Sequence, residues 1–129
     1  MGLDLSHFIP IIKQNEEEYL DYIEITELKI SPEYVELNRQ FIVDKDCEEF
    51  GVSKVIYFQQ EGYQRKGMNS KFYSDFENDK LYFDLESLRK AYNYLEADRI
   101  NSLKELQQNF QENFIDNFIE GKSIFQVSW

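Results

Sequence analysis

Cysteine, histidine, proline and glycine are all scarce in this chain. Its 129 residues include one cysteine (Cys47), one histidine (His7), two prolines and five glycines. A single cysteine forms no internal disulfide, so the fold does not depend on an oxidising compartment, and we expect a cytoplasmic protein. One histidine and one cysteine cannot supply the usual nitrogen and sulfur ligands of zinc, so we expect no zinc site.

Basic residues are also in deficit. Lysine and arginine total 14 against 25 aspartate and glutamate residues, which gives a net charge of −11. Nucleic acids and anionic membranes attract positive charge, so we expect neither as a partner. The chain also lacks the run of about 20 apolar residues that a membrane span needs. A basic protein is the partner that this charge would attract.

Catalytic motifs are missing as well. Cys47 lies between Asp46 and Glu48, and negative neighbours disfavour a reactive thiolate. No G-x-S-x-G elbow is present to make use of His7, which we expect to be half-buried or on the surface. We therefore predict no catalytic residue, no cofactor and no enzyme. A small hydrolase with paired carboxylates is the third-ranked alternative, because such pairing leaves no local spacing to detect.

A calcium loop is the one metal motif that needs a test. Asp44, Asp46 and Glu48 have the 1, 3, 5 spacing of an EF-hand. The sixth position holds Glu49 instead of glycine and the twelfth holds Val55 instead of glutamate. We therefore predict a short acidic helix or a solvated acidic turn at 44–51 and no metal site.

The apolar pattern predicts one α+β domain over residues 1–129. Strands are expected near 2–6, from about Ile23 to Ile30, and at 53–60, 80–84 and 123–129, the last of them inserted into the sheet. Ser31 and Pro32 supply a helix start, and that helix should run to about Phe41. Residues 71–76 should form one or two helical turns within a hairpin-like excursion between the strands at 53–60 and 80–84.

A long helical pattern occupies residues 84–120, which contain no glycine or proline. One unbroken helix would be about 50 Å long at ~1.5 Å per residue, far longer than a compact domain of this size. A break near Ala97 and Asp98 is therefore favoured, although the sequence leaves one helix or two open. The predicted fold is a mainly antiparallel sheet packed on one face by these C-terminal helices.

Charge is distributed unevenly along the chain. Residues 15–49 hold twelve acidic and three basic residues, a net charge of −9, whereas residues 50–72 have a net charge of +3. The first functional hypothesis is that the acidic region docks onto a basic protein with tyrosines as anchors. Its partner-binding residues would be Glu16, Glu17, Glu18, Tyr19, Asp21, Tyr22 and Tyr34.

The second hypothesis uses the basic segment, which we define as residues 62–73. It predicts a small-ligand or anion site in a regulatory domain, with Gly62 and Gly67 allowing close backbone approach. Its ligand-binding residues would be Tyr63, Arg65, Lys66, Asn69 and Lys71. A structural alternative is that this segment is basic only to neutralise the acidic surface of the same protein.

In size, acidity, cysteine usage and missing catalytic residues, the chain is similar to the immunity proteins that bacteria make against their own secreted toxins. This resemblance is compositional. It implies an inhibitor that binds a toxin domain, frequently a basic nuclease, and blocks its active site by charge and shape. We rank this function first and the small-ligand site second.

Overall fold

The protein has an α+β fold built on one antiparallel sheet. A computed structural model describes residues 2–12, 21–24, 30–47 and 52–129, with the backbone alone for 21–24, 42–47 and 52–55. The strands are β1 (Asp4–Pro10), β2 (Asp21–Glu24), β3 (Ile42–Cys47), β4 (Val52–Arg65), β5 (Lys80–Tyr82) and β6 (Ile124–Ser128). The helices are α1 (Pro32–Leu37), α2 (Phe72–Asp75), α3 (Leu85–Tyr92) and α4 (Leu103–Phe110). A 3-10 turn (Arg39–Phe41) follows α1, and a π-helical turn (Gln111–Ile115) continues α4.

Strand β4 is the longest strand and organises the sheet. The order is β2-β4-β1-β6-β5, with β3 also paired to β4, and every pairing is antiparallel. Ile56 pairs with both β2 and β3, and Phe58 pairs with both β2 and β1. Strands β1 and β3 therefore lie end to end along the same edge of β4. The predicted antiparallel sheet is confirmed.

One face of the sheet is covered by the C-terminal helices, as predicted. Leu5 of β1 and Phe125 and Val127 of β6 point to this face, because alternate residues of a strand face the same side. They pack against helical residues, among which Phe110 and Phe114 stack with their ring centroids 4.6 Å apart. The fully buried side chains of this helix-covered face include Leu5, Phe72, Leu88, Phe110, Phe114, Phe125 and Val127.

Helix α1 covers a second, smaller cluster on the opposite face. In the part of the chain whose side chains are described, its buried residues are Phe8, Tyr34, Ile56, Phe58, Leu81 and Ile124. The Ser31 hydroxyl caps the helix by accepting a hydrogen bond from the Tyr34 N–H at 3.0 Å, as the Ser-Pro start predicted. The α1 helix is then attached by its side chains: Tyr34 Oη donates to the Lys122 carbonyl at 2.8 Å, and Asn38 Nδ2 donates to the Gly121 carbonyl.

The long C-terminal helical region is divided, as favoured from its length. Helix α3 ends at Tyr92 and α4 begins at Leu103 after the Ser102 cap. Between them, the Asp98 carboxylate accepts from the Ile100 and Asn101 N–H groups at 2.8 and 2.7 Å, which closes a tight turn. The two helices are therefore separate, and Leu88 of α3 and Phe110 of α4 are buried in the same core cluster.

Three predictions about the chain path were wrong. Residues 44–47 belong to β3 instead of an acidic turn, and residues 48–51 lie outside the described residues. Strands β4 and β5 do not form a hairpin, because β1 and β6 lie between them. The first strand runs on to Pro10, which is tolerated because β6 pairs with β1 only as far as Phe8, so no N–H is needed there on that side.

The strand predicted from Ile23 to Ile30 is described only in part. Its first residues belong to β2 (Asp21–Glu24), and residues 25–29 lie outside the described residues. The predicted helical turns at 71–76 are present as α2. Within the described parts of the chain, no helix is long and apolar enough to cross a membrane.

Candidate functional site

The basic segment leaves β4 through a sharp left-handed turn. Lys66 has φ 62° and Gly67 has φ 85°, a conformation that glycine adopts freely and other residues seldom adopt. A Cβ on Gly67 would also lie 2.8 Å from a Leu106 methyl carbon. A larger residue is therefore excluded here by core packing as well as by the backbone conformation. Met68 then forms an isolated bridge with Leu95, which ties the segment to the turn region after α3.

Two of the predicted ligand residues make hydrogen bonds within the protein. Tyr63 Oη donates to the Asp4 carboxylate at 2.5 Å, and this hydrogen bond raises the pKa of the Tyr63 phenol. The Asn69 carboxamide oxygen accepts from the Phe72 N–H at 3.2 Å and so caps α2. These two side chains therefore have structural partners in the folded chain.

Two of the three basic residues of the segment extend toward the same residue, Gly2, and the third lies elsewhere. The side chains of Arg65 and Lys66 both approach Gly2, where an added Cβ would lie 3.5 Å from Arg65 Nε and 3.8 Å from Lys66 Cε. Lys71 is exposed at the start of α2. Of the five predicted ligand residues, Lys66 alone lines the polar cleft that opens beside the left-handed turn.

This polar cleft has a volume of about 240 Å³, and we call it the 66/98 cleft. It is lined by Gly2, Leu3, Lys66, Gly67, Met68, Tyr73, Glu96, Ala97 and Asp98. Backbone N–H donation from Asn101 and Ile100, with a smaller contribution from the Lys66 ammonium, lowers the pKa of the Asp98 carboxyl. The cleft therefore presents one ammonium group and two carboxylates, which the sequence did not place together.

The predicted partner-binding residues are only partly visible. Glu16, Glu17, Glu18 and Tyr19 lie outside the described residues, and Asp21 and Tyr22 are described by their β2 backbone. Tyr34 must be corrected: it is 2% exposed and belongs to the core beneath α1, with its ring 4.7 Å from that of Phe83. A buried tyrosine that holds α1 to the protein cannot also serve as a surface anchor in this conformation.

His7 is fully buried, which corrects its predicted half-buried or surface position. Its Nδ1 lies 3.1 Å from the Asn113 carbonyl oxygen, and its Nε2 lies 2.8 Å from Ser123 Oγ. A carbonyl only accepts, so Nδ1 carries the proton, and Nε2 accepts from the Ser123 hydroxyl. Burial lowers the pKa of His7 below its ordinary value of 6.5.

This histidine–serine pair serves the structure. Ser123 Oγ also accepts from the Ile119 N–H at 2.8 Å, and Asn113 belongs to the π-helical turn. The pair thus joins β1, the end of the C-terminal helical region and the start of β6. Ser123 and His7 are both 0% exposed, so no substrate reaches the hydroxyl in this state.

Metal ligands do not converge in the described ranges. Among these residues no group of three or more histidine, cysteine, aspartate and glutamate side chains is placed to hold a metal ion. Asp44 and Asp46 lie on β3, and Glu48 lies outside the described residues.

Comparison with known proteins gives no relative: no family model, curated protein or solved structure matches this chain.

Proposed function

We propose that this protein is an acidic binding domain for a basic protein, in the manner of an immunity protein that inhibits a bacterial toxin. We place it in the cytoplasm on the basis of its single cysteine. The net charge of −11 would speed encounter with a basic partner and reject acidic ones.

The observation that carries this proposal is the use of the basic segment within the protein. Tyr63 bonds to Asp4, Asn69 caps α2, and Lys66 lies across the 66/98 cleft from Asp98. The hydrogen bonds of Tyr63 and Asn69 occupy two of the five predicted ligand residues within the protein, which counts against the small-ligand site predicted for the segment. The acidic excess elsewhere is then the feature available to a partner.

An exposed apolar residue at a tight turn offers an anchor for a partner. Ile100 is 88% exposed, and the hydrogen bonds of Asp98 hold it at the tip of the tight turn that precedes α4. Leu103, 41% exposed, follows at the start of α4. Preorganised apolar side chains lose little conformational entropy on binding, so they suit the centre of an interface.

The test begins with the proteins encoded by the genes beside that of this chain. Each is purified and its association with this protein is measured between about 50 and about 500 mM NaCl, a range over which exposed charges become screened. We expect a complex whose association rate falls by at least about ten-fold across this range. A complex with a salt-independent rate would contradict electrostatic steering, and no complex with any neighbour would count against the immunity function.

A matched pair of variants locates the surface. Glu16→Gln, Glu17→Gln and Glu18→Gln together remove three charges from the acidic region. Glu86→Gln, Glu112→Gln and Asp116→Asn remove three exposed charges from the C-terminal helical region, away from Ile100 and Leu103. We expect the first set to slow association about ten-fold and the second about two-fold. Equal effects would contradict the proposed location.

A further inference from the structure

The 66/98 cleft has two walls that are fixed relative to each other. One wall is the left-handed turn at Lys66 and Gly67, and the other is the stretch from Glu96 to Asp98. The Glu96 N–H donates to the Gly67 carbonyl at 2.8 Å, and the Asn69 N–H donates to the Tyr94 carbonyl at 2.9 Å. These backbone bonds hold the cleft in shape, so a ligand would meet a largely preformed site.

The charged groups of the cleft are opposite in sign and unpaired with each other. Among the described residues, the ion pair within 4.0 Å is Lys80–Glu77, so Lys66 forms none with Glu96 or Asp98. The Asp98 carboxylate is also fixed in place, because it accepts two backbone hydrogen bonds from its own turn. The cleft therefore holds a positive and a negative group that have not neutralised each other.

This charge arrangement selects among small ligands. A simple anion would be attracted by Lys66 and repelled by the two carboxylates. A simple cation would be attracted by the carboxylates and repelled by Lys66. A zwitterion satisfies both sides at once. The rest of the lining is mainly polar: Met68, Ala97 and Tyr73 contribute to it, whereas Leu3 is buried beneath it.

The size of the cleft limits which ligands it can hold. A volume of about 240 Å³ corresponds to roughly eight water molecules at about 30 Å³ each. That volume is comparable to a molecule of about nine non-hydrogen atoms such as leucine, and it is below the range of about 300–1,000 Å³ typical of drug-sized ligands.

We propose that the 66/98 cleft binds a free amino acid of about the size of leucine, its carboxylate at Lys66 and its ammonium group at Asp98 and Glu96. The cleft adjoins the turn that carries Ile100, because Asp98 belongs to both. It differs from the anion site predicted for the basic segment, because the carboxylates of the opposite wall take part.

The experiment compares L-leucine and L-methionine with two blocked analogues, leucinamide and N-acetyl-leucine. Leucinamide keeps the ammonium group and lacks the carboxylate, and N-acetyl-leucine keeps the carboxylate and lacks the ammonium group. At a concentration about ten times the dissociation constant, we expect the free amino acids to raise the Tm by roughly 3–6 °C. Calorimetric titration should give one site. Neither blocked analogue should bind within ten-fold of the same affinity.

Two substitutions remove the charges and preserve the fold. Lys66→Asn suits the left-handed backbone, since asparagine tolerates positive φ, and Asp98→Asn keeps the oxygen that accepts the turn hydrogen bonds. Each should weaken leucine binding by about ten-fold or more. Lys104→Gln and Glu105→Gln, on the exposed start of α4, are matched controls and should leave it unchanged.

Several results would overturn the proposal. They are no binding of either amino acid, equal binding of a blocked analogue, or unchanged binding by a correctly folded Lys66→Asn or Asp98→Asn protein. Stabilisation by N-acetyl-leucine alone would instead assign an anion site to the basic segment.

Discussion

The two faces of the sheet are held together in different ways. Among the residues whose side chains the structure describes, the helix-covered face packs thirteen buried residues in one cluster and the α1-covered face packs six. The larger cluster is built from stacked and edge-on phenylalanine rings. The ring centroids of Phe110 and Phe114 each lie 6.0 Å from that of Phe125. The smaller cluster is supplemented by hydrogen bonds from Tyr34 and Asn38 to the turn at Gly121 and Lys122.

This difference has a physical consequence. Apolar packing is non-directional, and its contribution scales with the apolar area buried. The helix-covered face therefore gains most of its stability from the amount of apolar surface that it buries. Side-chain hydrogen bonds are directional, and a buried acceptor that loses its donor costs free energy. The attachment of α1 should therefore be more sensitive to the loss of a single polar atom.

The largest effect is expected from Phe110→Ala on the helix-covered face. Phe110 is 0% exposed and contacts the rings of Tyr92, Phe114 and Phe125, so its truncation leaves a cavity at the centre of the cluster. The free energy of unfolding should fall by about 3–5 kcal/mol, measured by urea denaturation. Lys104→Ala on the exposed side of the same helix should change it by less than about 0.5 kcal/mol. Equal effects would contradict the assigned core.

Removing one hydroxyl tests the α1-covered face. Tyr34→Phe keeps the ring beside Phe83 but removes the donor to the Lys122 carbonyl, so unfolding should become easier by about 1–2 kcal/mol. Tyr94→Phe is the control, because its hydroxyl bonds to the exposed Asp75 carboxylate and its loss should cost less than about 0.5 kcal/mol. A larger loss of stability in Tyr94→Phe than in Tyr34→Phe would contradict the importance assigned to the Tyr34 hydrogen bond.

The stability of the protein should depend on pH because of His7, which is buried on the helix-covered face. Because its pKa is lowered in the folded state, the unfolded chain binds more protons below about 6.5. This contribution to stability is complete above that pH and decreases as the pH falls towards the folded pKa. The slope cannot exceed about 1.4 kcal/mol per pH unit for one group.

The measurement is direct, since His7 is the chain's one histidine. Its imidazole nitrogen shifts in NMR should show the Nδ1-protonated neutral ring at pH 7 and a titration midpoint below 6.5. The stability difference between the natural protein and His7→Gln should vary with pH in the same window. A midpoint at or above 6.5 would mean that burial is not the main influence on the pKa of His7.

The smallest effect is expected at the helix caps. Ser31→Ala removes the acceptor for the Tyr34 N–H at the start of the six-residue α1, and should cost about 1 kcal/mol. Ser102→Ala removes the corresponding cap of α4, whose Phe110 and Leu106 are buried in the larger cluster. Hydrogen exchange should therefore accelerate across α1 more than across α4. The same acceleration in both helices would show that packing does not distinguish them.

Local signals predicted several elements correctly. Ser31 followed by Pro32 specifies a helix start because the hydroxyl caps the first turn and proline needs no hydrogen-bond donor there. The alternation of Phe125 and Val127 with polar residues predicted β6 and its buried face. The division into α3 and α4 followed from length, because a single helix would not fit a compact core.

The candidate site was predicted less completely. Lys66 was identified by its unusual charge, but the positions of Glu96 and Asp98 opposite it depend on the bridge between Met68 and Leu95. Tyr34 was assigned to the surface because it stands among acidic residues, and its burial depends on how α1 lies against the sheet. Neither relation leaves a pattern in neighbouring residues.

Composition and short-range patterns were sufficient to predict the α+β class, the antiparallel sheet, the Ser31 cap of α1 and the acidic charge, because these features depend on residues within a few positions of one another. Tertiary structure alone decided the placement of β6 between β1 and β5, the histidine–serine pair separated by 116 residues, and the charges that line the 66/98 cleft. Such contacts join distant parts of the chain, and their geometry arises only when the strands and helices pack together. The basic segment therefore gained its acidic counterparts from the fold.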